Sequence, residues 1–93
     1  LDNHSVLIKQ IIGKTIKALR MKRDLSQEDL AGIHEADRAY ISKIESGRSE
    51  PSVHKIFELC EALQIKPSDF IKLVEIEYER LRSELLIKKR SLF

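Results

Sequence analysis

The stretch from Leu25 to Gly47, LSQEDLAGIHEADRAYISKIESG, constrains the fold of this chain more than any other. It carries the punctuation of two short helices joined by a tight turn. Ser26 is placed to cap the first, and Asp29 three residues on completes a capping-box-like pair. Leu30 and Ala31 follow on the inward face, where a small Ala31 lets a second helix cross closely. Glu35 and Ala36 make the turn. Asp37 caps the second helix, in which Tyr40, Ile41 and Ile44 recur at helical spacing. Gly47 ends that helix, because a left-handed residue is easiest for glycine.

The flanking sequence is read the same way. From His4 or Ser5 to Arg23, the residues Val6, Leu7, Ile8, Ile11, Ile12, Ile16 and Leu19 make a wide apolar stripe on a first helix. After Gly47, Arg48-Ser49-Glu50-Pro51 is a turn-rich connector. Ser52 caps a fourth helix over 53–63, with Val53, Ile56, Phe57, Leu59, Cys60 and Leu63 as its apolar face. Pro67 stands at the first position of a fifth. From Phe70 to Lys89 there is neither Gly nor Pro. Ile71, Val74, Tyr78, Leu81 and Leu85 recur at three- and four-residue steps, the spacing of a helix–helix seam. Such a helix is about 35 Å long and too exposed to stand alone.

Composition enters as a bound. A chain of 93 residues with 42% hydrophobic content forms one small domain with a modest core. Three Gly and two Pro, both Pro at helix starts, leave little room for sheet, so the expected class is all-α. A single cysteine excludes an intramolecular disulfide and a cysteine metal cluster, and with it a cytoplasmic location is expected. Cys60 reads as a small core residue. No apolar run approaches a membrane span, and no signal peptide is read. His4, His34 and His54 lack partners at metal-ligand spacing, His34 reading instead as a partly buried packing residue. Glu75, Glu77, Glu79 and Glu84 are interleaved with Arg80 and Arg82, the pattern of a solvated helix face and not of a catalytic pair. There is no glycine-rich phosphate loop. The chain is therefore expected to be no enzyme and to hold no metal or cofactor.

Net charge is only +2, but its distribution is uneven. Lys9, Lys14, Lys17, Arg20, Lys22 and Arg23 crowd the first helix, and Lys88, Lys89 and Arg90 the last. A protein that binds DNA needs positive charge only where phosphates pass.

Two capped helices so closely joined form the helix-turn-helix pattern. Through Leu25-Ser26-Gln27-Glu28, Leu30-Ala31, Asp37 to Ser42, Ile44-Glu45, Gly47 and Pro51-Ser52, the chain resembles the Cro/cI-like, or XRE, family over residues 10–72. Its Asp-Arg-Ala-Tyr-Ile-Ser run is most similar to the small controller proteins of restriction–modification systems. Two departures stand out. The family usually has glycine where Glu35 sits and an aliphatic residue where His34 sits. A non-glycine residue in a left-handed turn costs on the order of 1 kcal/mol, so a slightly altered turn is expected.

The resemblance implies a five-helix lambda-repressor-like domain over 1–73, with an extended N-terminal helix, and a helical extension over 74–93 for dimerisation. It implies that Arg20 pairs with Glu45, tying the first helix to the end of the recognition helix. It also orders the polar residues. Arg38 can bond guanine O6 and N7 in a fork, and Ala39 can lie against a thymine methyl. Ser42 and Lys43 can reach bases or phosphates. Gln27 opens the preceding helix, where N–H groups point at a phosphate. Ser46 and Arg48 would hold the backbone. Tyr40 divides between core-edge packing and a phosphate contact. Phe70, Ile71, Val74, Tyr78, Leu81 and Leu85 are the expected dimer contacts, with Val6, Leu7, Ile8 and Ile11 as an apolar surplus for them to cover. Some relatives touch RNA polymerase from the place of Glu28 and Asp29, which makes polymerase a candidate partner.

The function these features point to is a homodimeric transcription regulator that binds double-stranded DNA at a two-fold operator, in the manner of a controller protein. An antitoxin-like regulator, whose last helix holds a protein partner, is the alternative. A third reading, a helix-turn-helix used only for protein contact, is disfavoured by Arg38 and Lys43.

Overall fold

The computed structural model describes residues 3–33 and 37–91. Five α-helices follow in order: α1 (Asn3–Lys22), α2 (Gln27–Ile33), α3 (Arg38–Glu45), α4 (Val53–Leu63) and α5 (Pro67–Ser91). No strand occurs among the described residues. The fold is all-α with five helices, as the sequence pattern implies. The turn expected at Glu35 and Ala36, the departure at His34 and the packing expected of His34 lie outside the described residues.

Helix starts follow the capping residues. Ser26 and Asp29 form a reciprocal box: the Asp29 N–H donates to Ser26 Oγ at 2.9 Å and the Ser26 N–H to Asp29 Oδ2 at 2.9 Å. Asp37 has extended backbone and accepts from the Tyr40 N–H at 2.7 Å. Ser52 does the same for α4, accepting from the Lys55 N–H at 3.1 Å.

Three helices end in one pattern. Beyond α3 the Gly47 N–H donates to Ile44 O and the Arg48 N–H to Lys43 O, with Gly47 at φ +80°. This is the Schellman arrangement, which satisfies carbonyls that would otherwise be left open. The same pairing recurs after α1, from Asp24 to Met21 O and Leu25 to Arg20 O, and after α4, from Gln64 to Glu61 O and Ile65 to Cys60 O. There the left-handed residues are Asp24 and Gln64, both at φ 55°. Each accepts a strain on the order of 1 kcal/mol that glycine would avoid.

One core joins the helices. Ile11, Ile12 and Ile16 of α1 meet Leu30 and Ala31 of α2, Ile41 and Ile44 of α3, Ile56, Leu59, Cys60 and Leu63 of α4, and Phe70 and Val74 of α5. Burial raises the Cys60 thiol above its ordinary pKa, consistent with a packing residue. Leu7, Ile8, Leu19, Tyr78 and Leu81 pack against the edge of this core. α1 and α5 lie side by side along a groove lined by Leu7, Ile11, Leu19, Leu73 and Leu81, so the apolar surplus on α1 is partly covered within the chain.

The structure corrects the expected faces at three places. Val6 is exposed, because at 3.6 residues per turn it falls out of phase with Leu7 and Ile11. Val53 and Phe57 are not part of the buried face of α4 but 71% and 57% exposed. They lie one turn apart, on the flank of a stripe that Ile56, Leu59, Cys60 and Leu63 already fill. On α5 the seam is not one surface: Phe70, 1% exposed, and Val74 belong to the chain's own core, and Ile71 and Leu85 remain exposed. α5 runs unbroken past residue 73.

Candidate nucleic-acid interface

α3 is short, eight residues, and its two faces divide sharply. Ile41, Ile44 and Glu45 are buried. Arg38, Ala39 and Lys43 are exposed and Ser42 is half-buried. Among the described residues neither Arg38 nor Lys43 enters an ion pair or side-chain hydrogen bond, so both cations are free to meet an outside anion. Tyr40 is half-buried at the core edge, with Lys55 Nζ 5.5 Å from its ring centroid. Burial raises its phenol pKa; Lys55 opposes the shift and Glu58 adds to it.

The end of α3 is clamped. Arg20 Nε donates to Glu45 Oε2 at 2.7 Å and Arg20 Nη2 to Glu45 Oε1 at 2.9 Å, a bidentate pair. Their side chains are 11% and 3% exposed. Arg20 Nη1 also donates to Leu25 O at 2.7 Å, joining the pair to the α1–α2 connection. The bond to Glu45 raises the Arg20 pKa, against the opposing effect of burial. Gln27 Nε2 supplies a third donor to the buried carboxylate, 3.0 Å from Glu45 Oε1. Gln27 thus stands at the start of α2, but its amide nitrogen turns inward and locks α2 to α3.

Past α3, the Arg48 Nε donates to Ser46 Oγ at 2.9 Å and the Ser46 hydroxyl to Lys43 O at 3.1 Å. This chain of bonds holds the exposed Arg48 guanidinium beside the end of α3. Glu28 and Asp29 occupy the first turn of α2, where negative charge complements the helix dipole. The bonds from Ser26, the backbone one first, lower the Asp29 pKa. Among the described residues no group of three or more His, Cys, Asp or Glu is placed to hold a metal ion, and no helix is long and apolar enough to cross a membrane.

Two capped helices, the second with Arg38 and Lys43 outward and its end clamped to α1, have the form of a helix-turn-helix. Residues 16–70 match the family model HTH_3, helix-turn-helix. The chain belongs to this helix-turn-helix family. The control protein C.MunI from a Mycoplasma species is 37% identical over 71 residues, covering 75% of this chain and 96% of that protein. A crystal structure of the restriction–modification controller protein C.Esp1396I, as a tetramer with its natural 35-base-pair operator, superposes with a TM-score of 0.70 at 25% identity, covering 76% of this chain and 93% of that one. The clp gene regulator ClgR from Corynebacterium glutamicum shares the fold over 88% of this chain and 87% of its own, with a TM-score of 0.79 at 18% identity. The XRE-type resemblance read from the sequence is thereby shown. The protein is a transcriptional regulator with a helix-turn-helix DNA-binding fold, close to restriction–modification controllers; these relatives are regulators and not enzymes.

In this helix-turn-helix protein three features escaped the sequence reading. Lys55 over the Tyr40 ring comes from α4, and no local spacing announces it. Val53 and Phe57 add apolar surface outside the core. The inward turn of Gln27 depends on a carboxylate 18 residues away.

Proposed function

We propose that the protein is a sequence-specific transcription regulator that binds a two-fold operator as a homodimer, in the manner of a restriction–modification controller. The observation that carries this reading is α3 itself: a helix capped at Asp37 and clamped at Glu45, with Arg38, Ala39 and Lys43 exposed and unpaired among the described residues. Its likeness to C.MunI, and to C.Esp1396I on its operator, supports the same reading.

The reading assigns roles along the surface. α3 enters the major groove by its start, where Arg38 forks to a guanine and Ala39 meets a thymine methyl. Ser42 and Lys43 extend the contact. Ser46 and Arg48 grip phosphates from the following loop, and Tyr40 and the start of α2 at Gln27 hold a neighbouring one. A single α3 reads too few base pairs to address one site, so two copies read half-sites about 34 Å apart. Residues 74–93 serve that pairing, with Ile71, Tyr78, Leu81 and Leu85 of α5 and the exposed Val53 and Phe57 of α4 as the pairing surface; Phe70 and Val74 support it from the core. The exposed Glu28 offers RNA polymerase a contact beside the DNA. Such a protein works in the cytoplasm.

A protection footprint on the DNA upstream of its own gene tests this directly. Two protected blocks with two-fold symmetry, one helical turn apart, are expected. Uniform weak protection with no preferred site would refute specific recognition, and a single unsymmetrical block would refute the two-fold mode.

A further inference from the structure

α1 carries a glycine in mid-helix, where alanine would favour the helix. The reason lies across the crossing with α3. A Cβ at Gly13 would overlap the carbonyl oxygen of Ile44 and stand 2.7 Å from that of Glu45. Both are backbone atoms and cannot swing aside as a side chain would. Ile44 O already accepts the Gly47 N–H at 3.0 Å in the turn that ends α3. One turn earlier on α1, Gln10 stands over that turn: a Cβ at Gly47 would lie 3.2 Å from Gln10 Cγ. The last turn of α3 is therefore seated directly on the backbone of α1, with Arg20 holding Glu45 beside it.

We propose that Gly13 is a positioning residue for DNA reading: it sets how closely the recognition helix sits on α1, and hence where Arg38 and Lys43 meet the bases. The inference rests on the proposed role of α3 in reading DNA. With any side chain at Gly13 the end of α3 must retreat by roughly 1 Å to reach ordinary van der Waals separation. A rigid eight-residue helix carries that displacement to its start. Hydrogen bonds to base edges do not tolerate it, whereas flexible phosphate contacts do.

The test compares Gly13→Ala with Gly32→Ala in the full chain. Gly32 is exposed in α2 with nothing within 4 Å of its added Cβ, so it receives the same methyl without the clash. Fluorescence anisotropy at fixed salt gives affinity for the footprinted operator and for an unrelated duplex of equal length. Hydrogen exchange of the Gly47 and Arg48 amides reports the seat without DNA. In Gly13→Ala the ratio of specific to non-specific affinity is expected to fall on the order of tenfold, as for one lost base contact, with faster Gly47 exchange. Gly32→Ala should keep both values. A merely structural role lowers the folded fraction and weakens both duplexes alike, leaving the ratio unchanged; that result overturns the proposal. If Gly13→Ala does not fold in buffer, the ratio is read with trimethylamine N-oxide added to restore folding, and a wild-type ratio there also overturns it. If the wild-type protein shows no operator preference, the proposed DNA reading fails on its own. Gly13 is then judged by exchange, and unchanged Gly47 exchange overturns its positioning role as well.

Discussion

Replacing Arg20 by methionine removes one partner of a bidentate pair whose carboxylate is 3% exposed. Breaking a buried pair in this way costs about 3–5 kcal/mol, because an uncompensated charge is left behind. Loss of the Arg20 bond to Leu25 O adds about 1 kcal/mol. A domain of this size has about 5–15 kcal/mol in total, so Arg20→Met should sit near the edge of folding. Arg20→Met with Glu45→Met behaves differently: two apolar side chains of similar volume fill the site, and most of the stability should return, to within about 1–2 kcal/mol of wild type. Orientation should not return. Gln27 loses its acceptor, and no side-chain hydrogen bond to Glu45 remains to align the end of α3 on its seat at Gly13. Urea unfolding gives the stabilities, and operator anisotropy the binding. The double variant should be well folded yet bind the operator at least about tenfold more weakly, a deficit of 1.4 kcal/mol or more. A double variant as unstable as Arg20→Met would show that the pair supplies net stability. One that bound the operator like wild type would show that it orients nothing.

Arg38→Ala should lose about 1–3 kcal/mol of operator affinity and relax one base position, read by titration of operator variants at fixed salt. Because its bonds to Ser26 lower the Asp29 pKa below the ordinary 3.8, its contribution is present above that value and lost as pH falls through the lowered one. Asp29→Asn should therefore be less stable than wild type at pH 7, and the deficit should shrink on acidification toward pH 3 in urea unfolding. Glu28→Lys should abolish activation in a reconstituted transcription assay while operator binding remains; unchanged transcription would remove the polymerase contact.

Much of this fold is legible in local chemistry. Ser26 with Asp29, Asp37 and Ser52 mark a boundary through a side-chain bond, Pro67 through its ring and Gly47 through the positive φ its missing Cβ allows, and each boundary falls within a residue or two of its mark. What the sequence hides is the partner of each face. The spacing along α5 announces a seam, but α1 and α4 take Phe70 and Val74 from it, and which neighbour a helix leans on is a tertiary property. Val53 and Phe57 look like core residues because apolarity carries no direction. The outward face of α3 is legible where residue type and helix phase suffice, at Arg38, Ala39 and Lys43, which are exposed. It is not legible at Gln27, where the unmet need of a distant carboxylate decides the rotamer. Asp24 and Gln64 adopt left-handed backbone without the glycine that would signal it, because the Schellman bonds offset the strain.

Sedimentation of the full chain with its operator tests the proposed assembly most directly. Ile71→Asp with Leu85→Asp is the matched variant, since both residues are exposed and neither belongs to the core. The wild-type chain is expected to sediment as a dimer at micromolar concentration and to load two copies on each two-fold site. The variant should remain folded, sediment as a monomer and bind the operator weakly. A wild-type chain that sediments as a monomer, yet fills its operator normally one copy at a time, would contradict the homodimer.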